Sequence, residues 1–452
     1  MPSTFKIDIP NNAEYILNIL DFNNTFGFVV GGCVRDSLLG KEPHDWDICT
    51  SAKPEEVLKL MERNNIRTIE TGLQHGTVTA VVNDESYEIT TYRVDGEYTD
   101  NRRPDRVTFV TDLIEDLSRR DFTINAMAYN YYEGLVDPWN GSYDLHAGLI
   151  RCVGNPDKRF NEDGLRIMRA LRFAATYGFK IEEKTAEAIH RNKELLKNIS
   201  AERIQYELTK MLCGKGVLDI LLKYKDVMAV IIPELEPCIG FEQNNPYHIY
   251  DVYDHIAHAV ANYRGSDVSI KMALLLHDIG KPESYTENET GGHFYGHSVN
   301  SRDIAEEVMT RLKFDNKTKE EVTALVLYHD ANIHPSIKAV KRWLNRLGSD
   351  TLDKLLSVKI ADIYAHSEVN QSTRIWAVDK AYGLSQLIIY EQQCFQIKDL
   401  AINGNDVMSL GVESGPKVGE VLKYILNKVI DDDIENERDT LMNEAAIYLK
   451  GE

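Results

Sequence analysis

Two aspartates that flank one tryptophan, Asp45 and Asp47 around Trp46, are residues whose types and spacing suit metal chemistry. Carboxylate oxygens are preferred ligands of Mg²⁺, and a carboxylate pair can hold two such ions together with triphosphate oxygens. If residues 46–48 form a strand, both carboxylates project from the same face of it. The pair therefore predicts a Mg²⁺ site suited to in-line attack of a hydroxyl on an α-phosphate.

A glycine turn stands just before these aspartates. The apolar run 28–30 predicts a buried strand, and Gly31 and Gly32 end it where backbone amides can approach a phosphate. Arg35 follows, one turn into the next predicted helix. A Gly-Gly turn alone is usually only a turn, and Asp-x-Asp alone is usually a solvated loop. Their order and spacing here favour a nucleotidyltransferase active site.

The elements that position this unit predict a small mixed sheet with helices. Residues 13–24 and 53–63 have helical periodicity, and residues 75–82 and 86–93 predict two strands joined by a turn at 83–85. Glu88, on the second of these strands, is either a third metal-facing carboxylate or an outward-facing residue. Residues 93–107 are polar and contain Gly and Pro, which predicts a mobile loop.

A helical run is predicted for residues 114–129, and it brings four polar residues close together: Arg119, Arg120, Asp121 and Asn125. Two adjacent arginines suit a triphosphate, and the Asp with the Asn suits a ribose. The alternative is a solvated helix face with ordinary ion pairs.

Length and charge bound the remaining possibilities. A chain of 452 residues exceeds what one hydrophobic core normally serves, so several domains are expected. The formal net charge of −20 argues against general affinity for polyanions, which comes from Lys and Arg. Residues 151–215 are an exception, with 14 Lys and Arg against nine Asp and Glu. This stretch is a modest basic island.

The six cysteines contain no Cys-x-x-Cys pair, which favours neither a zinc ribbon nor a disulfide framework and indicates a reducing compartment. The first residues lack the pattern of a signal peptide, and no apolar run approaches the length of a membrane span. We expect a cytoplasmic protein with no membrane partner.

The motifs in order resemble those of the bacterial-type (class II) tRNA nucleotidyltransferases, the CCA-adding enzymes, whose class includes bacterial poly(A) polymerase. The resemblance rests on GGCVRD, DWD, RVDGEYTDNRRP, RRDFTINAMA and EDGLRIMRALRFAATYGF. It implies an α+β fold: a polymerase-β-like nucleotidyltransferase head with a small mixed sheet, followed by all-α neck, body, HD and tail domains. We place the head at 1–148, the neck and body at 149–225, an HD-type domain at 226–372 and the tail at 373–452.

The resemblance also implies roles for individual residues. Asp45 and Asp47 correspond to the catalytic, Mg²⁺-binding carboxylates. The nucleotide-binding set is Gly32, Arg35, Arg119, Arg120, Asp121, Asn125, Asp163, Arg166, Arg169 and Arg172.

Within this set, the resemblance gives the reading of the base to Asp163 and Arg166. An Asp acceptor and an Arg donor can together satisfy the Watson–Crick edge of cytosine or adenine. Without the resemblance, these two residues are an i,i+3 ion pair on a helix. Arg169 and Arg172 extend the same stripe as phosphate contacts or buttresses, and Arg203 is expected to order the neck.

A second signature begins after residue 241. His255, the dipeptide His277-Asp278 and Asp362 match the order of ligands in HD metal-dependent phosphohydrolases, with further histidines at 293, 297 and 329. Mixed imidazole and carboxylate ligands suit Mn²⁺, Fe²⁺, Ni²⁺ or Mg²⁺. The alternative is a helical bundle that keeps this scaffold without a metal.

The leading hypothesis is template-independent addition of CCA to the 3′ end of tRNA from CTP and ATP. The alternatives within the class are an A-adding or CC-adding enzyme or a poly(A) polymerase. The intact stretch 93–107 argues against a CC-adding enzyme, because the resemblance associates that activity with a shortened loop. An alternative from another class is an HD phosphohydrolase with a nucleotide-sensing head, and another is a non-catalytic RNA-binding protein.

Overall fold

The computed structural model describes residues 6–96, 107–244, 246–288 and 291–451. The chain divides into two compact units, 1–236 and 237–452. The first unit contains a mixed sheet with helices, and the second is helical apart from one short hairpin. The α+β class with a small mixed sheet is confirmed. Among the described residues, no helix is both long and apolar enough to span a membrane.

The strands of the first unit, labelled in chain order, are β1 (Gly27–Val30), β2 (Ile48–Thr50), β3 (Arg67–Gly72), β4 (Thr77–Val82), β5 (Glu85–Thr91), β6 (Arg93–Asp95), β7 (Val107–Phe109), β8 (Ala128–Asn130), β9 (Gly134–Val136), β10 (Leu149–Ile150) and β11 (Lys180–Ile181). The second unit contains β12 (Thr286–Asn288) and β13 (Gly291–His293). The main sheet has the order β3-β4-β5-β2-β1-β8-β9. Strands β2 and β5 are parallel and the other neighbours are antiparallel, so the sheet is mixed as predicted.

The helices of the first unit are α1 (Asn11–Phe22), α2 (Gly32–Leu38), α3 (Pro54–Arg63), α4 (Leu113–Ser118), α5 (Gly141–Ala147), α6 (Pro156–Glu162), α7 (Leu165–Tyr177), α8 (Glu183–Asn192), α9 (Ala201–Leu212), α10 (Val217–Lys223) and α11 (Lys225–Ile231). Those of the second unit are α12 (Val252–Asn262), α13 (Val268–Leu276), α14 (His297–Arg311), α15 (Asn316–Tyr328), α16 (Ile337–Leu347), α17 (Ser349–Tyr364), α18 (Gln371–Tyr390), α19 (Gly404–Met408), α20 (Pro416–Ile430) and α21 (Arg438–Lys450).

The core of the head explains why the short apolar run 28–30 becomes strand β1. All four residues of β1 are buried, and β1 hydrogen-bonds to β2 on one side and to β8 on the other. Phe28 and Val30 pack with Leu117 and Tyr92 in one buried cluster. A central strand covered on both faces reads as a continuous apolar run. This strand therefore fixes the position of the glycine turn that follows it.

Three predictions about local structure are wrong, and a fourth can be compared with the structure only at its ends. The helical run 114–129 stops at Ser118, because residues 128–130 pair with β1 as strand β8. The strand after Trp46 begins at Ile48, so Asp45 and Asp47 precede it. The strand predicted from residue 75 begins at Thr77, after a turn whose Gly76 has a φ of +86°. Finally, the ends of the predicted loop 93–107 pair as strands β6 and β7, and residues 97–106 lie outside the described residues.

Candidate functional site

The glycine turn between β1 and α2 is shaped to admit an arginine. Gly31 has φ +80° and ψ −120°, a conformation that L-residues with a Cβ rarely adopt. A Cβ there would lie 2.9 Å from Nη1 of Arg120. The amide of Gly31 donates to the carbonyl of Met127, so this amide is already used. The turn thus brings the guanidinium of Arg120 close to the backbone at the start of α2.

Three carboxylates gather beside this turn. The carbonyl of Asp47 accepts from the amide of Val30, and the parallel register of Ile48 with Ile89 sets Asp47 beside Glu88. Desolvation raises the pKa of Asp47, Arg120 lowers it, and the charges of Glu88 and Asp45 raise it further. Asp47 therefore feels the charges of Glu88 and Asp45, although neither aspartate lies on a strand.

The three acids Asp45, Asp47 and Glu88 offer the kind of ligand atom that a divalent cation prefers, although their oxygens do not converge within 4.8 Å of one another in the described chain. In the part of the chain that the structure describes, none of them has a side-chain hydrogen bond or an ion pair within 4.0 Å. Carboxylates that repel one another and lack protein partners are stabilised by a hard cation with oxygen ligands, which is the preference of Mg²⁺. Their donor chemistry therefore suits the predicted ion.

The two adjacent arginines are held by an acid that the sequence analysis did not select. The buried carboxylate of Asp116, in α4, lies 2.8 Å from the guanidinium of Arg119 and 3.5 Å from that of Arg120. Burial raises the pKa of Asp116, but the two arginines outweigh this effect and lower it. In the sequence, the position of Asp116 three and four residues before two adjacent arginines is the signal that could have identified it.

Asp121 and Asn125 lie in a buried network rather than on an open helix face. One oxygen of Asp121 accepts from the side-chain amide of Asn125 at 3.0 Å, and the other accepts from Nε of Arg169 at 2.8 Å. Burial alone would raise the pKa of Asp121, yet Arg169 and Asn125 lower it to about 2. Asn125 also accepts from Arg35 at 2.6 Å. The structure brings all four predicted residues together.

Arg35 is occupied by protein partners on every side. Its Nε and Nη2 donate to Asp36 at 2.9 and 2.8 Å, and its guanidinium lies 5.2 Å from the ring centres of both Phe173 and Tyr177. The hydroxyl of Tyr177 in turn donates to Asp36 at 3.0 Å. Arg35 therefore joins α2 to α7, and its predicted contact with the nucleotide stays a prediction.

Asp163 and Arg166 do not form the i,i+3 ion pair, and Asp163 does not lie within a helix. It lies in the break between α6 and α7, where its carboxylate pairs with Arg203 at 3.0 Å. Arg166 pairs instead with Glu162 at 2.6 Å and donates to the carbonyl of Arg119 at 2.9 Å. Both side chains are thus held in place by neighbours. Arg203 thus contacts the break between α6 and α7, and its role in ordering the neck stays a prediction.

Arg172 and Arg169 act as links between helices. Arg172 pairs with Glu207 of α9 and lies 4.0 Å from the ring centre of Phe173, while Arg169 reaches both Asp121 and Glu207. Glu207 was missed by the sequence analysis, because nothing local marks a partner 35 residues away. Both arginines thus contact other helices as the buttress alternative expects, and their contact with a phosphate stays a prediction.

A second site lies in the second unit, and it unites the predicted HD residues. Oδ2 of Asp278 lies 3.2 Å from Nε2 of His255 and 3.1 Å from Nε2 of His277, and Oδ1 of Asp362 lies 3.0 and 3.4 Å from the same two nitrogens. Oδ1 of Asp278 faces a further pair of histidines at 3.4 and 3.5 Å, namely His297 and His329. Two groups of possible ligands therefore share Asp278.

The hydrogen bonds of the second site test whether it fits metal ions. Nδ1 of each clustered histidine lies within hydrogen-bond distance of a backbone carbonyl: that of residue 365 for His255, 274 for His277, 294 for His297 and 326 for His329. With Nδ1 as the donor, Nε2 keeps a lone pair, which is the tautomer of a metal-binding histidine.

The facing nitrogens complete the test. Nε2 of His255 is 3.2 Å from Nε2 of His277, and Nε2 of His297 is 3.2 Å from Nε2 of His329. Two lone pairs at that distance repel each other unless a proton or a metal cation lies between them. Oδ1 of Asp278 is buried and has no hydrogen-bond partner within the described chain. The residues therefore fit later divalent cations, with Asp278 facing both pairs of histidines.

Two histidines near this site were missed and one predicted histidine lies apart. His248 and His366 form a further ligand group with His255, and burial lowers the pKa of His366 to about 4. His293 bonds Asn288 on the hairpin and lines the wall of the same cavity, of about 560 Å³, but lies outside the cluster. Arg374 also lines this cavity. The spacing of the missed histidines carried no recognisable motif.

Comparison with known families divides the chain into matched segments. Residues 27–151 match the family described as "Poly A polymerase head domain". Residues 178–239 match "Probable RNA and SrmB- binding site of polymerase A", and residues 295–445 match "tRNA nucleotidyltransferase domain 2 putative". The first of these matches contains the glycine turn, both aspartates of the first site and its arginine pair.

Relatives match the chain both in part and along its whole length. The CCA-adding enzyme of Pediococcus pentosaceus is 34% identical over 98% of this chain and 98% of its own. That of Lactobacillus helveticus is 52% identical over 46% of this chain, and the match spans about half (51%) of that relative. The crystal structure of the Bacillus stearothermophilus CCA-adding enzyme in complex with CTP covers 97% of both chains with 28% identity and a TM-score of 0.72.

Proposed function

The chain belongs to the CCA-adding enzymes, and on that premise we propose that it adds CMP and AMP to the 3′ end of tRNA, in the cytoplasm, from CTP and ATP without a nucleic-acid template. The observation that carries the proposal is the group of three unpaired carboxylates beside a glycine turn that admits Arg120. A nucleotide-sensing head has no need of such a group.

Asp45 and Asp47 would hold Mg²⁺, with Glu88 beside them. Bound Mg²⁺ neutralises phosphate charge and stabilises the attacking and leaving oxygens. Arg120 contributes a fixed positive charge at the turn, where a triphosphate would meet the start of α2 and the amide of Gly32. Asp116 holds Arg120 and Arg119 in place, so that little ordering remains to be done when the nucleotide binds.

Selection of the base would fall to the break between α6 and α7. Asp163 is held by Arg203, and Arg166 is held by Glu162, so each presents its remaining hydrogen-bonding capacity in a fixed direction. One acceptor and one donor suffice to match the edge of cytosine or adenine and to leave the edges of guanine and uracil unsatisfied. The network of Arg169, Asp121 and Asn125 supports this break from the head side.

The test uses three tRNA transcripts that end before CCA, after CC, and after CCA. Purified protein is incubated with each transcript and with CTP, ATP or both, and product lengths are read. A CCA-adding enzyme extends the first transcript by three nucleotides and the second by one, and leaves the third unchanged. Extension by two alone, by one alone, or by a long adenylate tail would identify one of the alternatives within the class.

A second activity is favoured by the histidine site. We infer that His255, His277, Asp278 and Asp362 bind one later divalent metal ion, Mn²⁺, Ni²⁺ or Fe²⁺, and that His297 and His329 share Asp278 with a second. The facing Nε2 pairs support this inference. Such ions would supply an activated water, which is a suitable nucleophile for a phosphomonoester or a 2′,3′-cyclic phosphate. This hydrolysis would be separable from nucleotide addition.

The experiment for this activity compares protein purified without chelator with a variant that combines His277→Ala and Asp278→Ala. We expect bound metal in the unmodified protein by elemental analysis, and hydrolysis of p-nitrophenyl phosphate or 2′,3′-cyclic AMP after Mn²⁺ or Ni²⁺ is added. The variant loses both and still extends tRNA. His334→Ala, an exposed histidine of the same unit, is the matched control and loses neither. Absence of metal together with absence of hydrolysis would reduce the cluster to a structural element.

A further inference from the structure

A cavity of about 400 Å³ lies in the first unit, between the C-terminal end of α1 and the turn that joins β8 to β9. Three aromatic side chains line it: Phe22 is 87% exposed, Phe26 53% and Tyr132 76%. Among the described residues that line this cavity, none belongs to the two sites above. Single exposed aromatic residues are common, whereas three that share one cavity form a patch of the kind that marks a binding site.

The backbone on both walls of the cavity is held in place. Phe26 has a φ of +26°, which a bulky residue rarely adopts, and such strain persists where the surrounding structure fixes it. Its carbonyl accepts from the hydroxyl of the buried Tyr92 at 3.1 Å. On the other wall, Oδ1 of Asn130 accepts from the amides of Tyr132 and Glu133 at 3.1 and 2.7 Å. The aromatic rings are therefore presented by a fixed backbone.

The cavity also carries negative charge. Asp21 and Glu133 line it, and neither carboxylate forms an ion pair within the part of the chain that the structure describes. Burial raises the pKa of Asp21, and the hydrogen bond that it accepts from the amide of Gly27, at 3.0 Å, lowers it by less. The last turn of α1 contains no basic residue, so no side chain of that turn offsets the negative end of the helix dipole. A cation in the cavity would be stabilised by all three groups.

We propose that this cavity binds a small organic dication of the alkyl diamine class, with an ammonium group near each carboxylate and the alkyl chain along the aromatic rings. An ammonium group is attracted to the face of an aromatic ring, and methylene groups pack on the same face. Mg²⁺ keeps most of its water and gains nothing from the rings. Two carboxylates match two positive charges, whereas the arginine side chain of a partner protein brings one. The site does not depend on the proposed nucleotide addition.

Calorimetric titration of the full chain with putrescine, a linear diamine, tests the proposal. We expect saturable binding at one site per chain. Butylamine has the same alkyl chain and one ammonium group, so it should bind roughly three- to tenfold more weakly. An equal concentration of Mg²⁺ should leave putrescine bound, because the rings contribute nothing to the binding of that ion.

Variants separate the contribution of the rings from that of the charges. Phe22→Ala combined with Tyr132→Ala removes two exposed rings and should weaken putrescine binding by about tenfold. Asp21→Asn combined with Glu133→Gln should weaken it to a similar degree, and the Asn keeps an acceptor for the amide that Asp21 caps. Tyr143→Ala removes another exposed ring of the first unit and is the matched control, which binds like the unmodified chain.

Phe26→Gly distinguishes a binding role from a packing role. Glycine adopts a positive φ without strain, so the melting temperature should not fall, while putrescine binding weakens because a ring is lost. The proposal is overturned if putrescine does not bind saturably, if Tyr143→Ala weakens binding as much as the double ring variant does, or if Phe26→Gly melts lower and binds normally. It is also overturned if N-acetylarginine amide binds more tightly than putrescine, which would identify a site for the arginine of a partner protein.

Discussion

Replacing Gly31 by alanine tests whether the turn is shaped for Arg120. The backbone there has φ +80° and ψ −120°, which costs an alanine roughly 1–3 kcal/mol. The new Cβ would also lie 2.9 Å from Nη1 of Arg120, whose guanidinium is held by Asp116 and cannot withdraw freely. We expect the melting temperature of this unit to fall by about 2–10 °C.

We expect Gly31→Ala to lose more activity than its loss of folded protein alone would cause. Arg120 must move away from the turn, so the charge that faces the triphosphate moves with it, and we expect kcat/KM for CTP to drop by at least about tenfold at a temperature where the variant is folded. Gly134→Ala is the matched control, because its φ is also positive, at +73°, but no atom lies within 4 Å of the position of its Cβ and it lies outside the site. The reasoning is refuted if the two variants have the same melting temperature and the same kcat/KM, measured by calorimetry and by incorporation of labelled CMP.

Three further predictions concern the acids and their partners. Asp45→Ala or Asp47→Ala should abolish incorporation of both nucleotides, while binding of tRNA, measured by filter binding, changes little. Glu85→Ala, which removes an exposed acid of the same sheet, should change neither incorporation nor tRNA binding. Near-normal turnover in either Asp variant would contradict the metal assignment. Asp163→Ala and Arg166→Ala should each reduce the preference for CTP over UTP, measured as the ratio of the two kcat/KM values, by at least about tenfold. An equal loss of rate for every nucleotide would show that these residues do not read the base. Arg203→Ala should lower the same ratio, and it should lower the free energy of unfolding by only about 1 kcal/mol because solvent partly screens the ion pair with Asp163. Arg203→Lys should restore part of the ratio. If Arg203 is purely structural, the ratio will not change in either variant.

Sequence reasoning succeeded where the signal is local. The apolar run before the glycine turn, the helical periodicity of α1 and α3 and the strands β4 and β5 are all visible within a window of a dozen residues. It failed where pairing with an element distant in the sequence determines the local structure. Residues 128–130 have an acceptable helical pattern, yet they supply the strand that covers β1, so tertiary pairing overrides local preference there.

The partners of the charged residues show the same limit more sharply. Asp163 and Arg203 are 40 residues apart, Arg172 and Glu207 35, and Asp121 and Arg169 48. A single sequence contains no record of such pairs, so the nearest opposite charge, Arg166, was the natural but wrong partner for Asp163. The residues of the site could thus be selected by type and motif, while their partners required the fold.

The two sites offer different ligand atoms, so each can select a different metal ion in the same chain. The head presents oxygen only, from Asp45, Asp47 and Glu88, and oxygen ligands suit Mg²⁺. The second unit presents imidazole nitrogens whose tautomers are fixed by backbone carbonyls, and nitrogen ligands favour later divalent metals. Because affinity for Mg²⁺ through imidazole is weak, millimolar Mg²⁺ can saturate the head without displacing a tightly held ion from the histidines. Depletion of trace metals should therefore silence hydrolysis while tRNA extension continues, and loss of both together would mean that the two sites are not chemically separate.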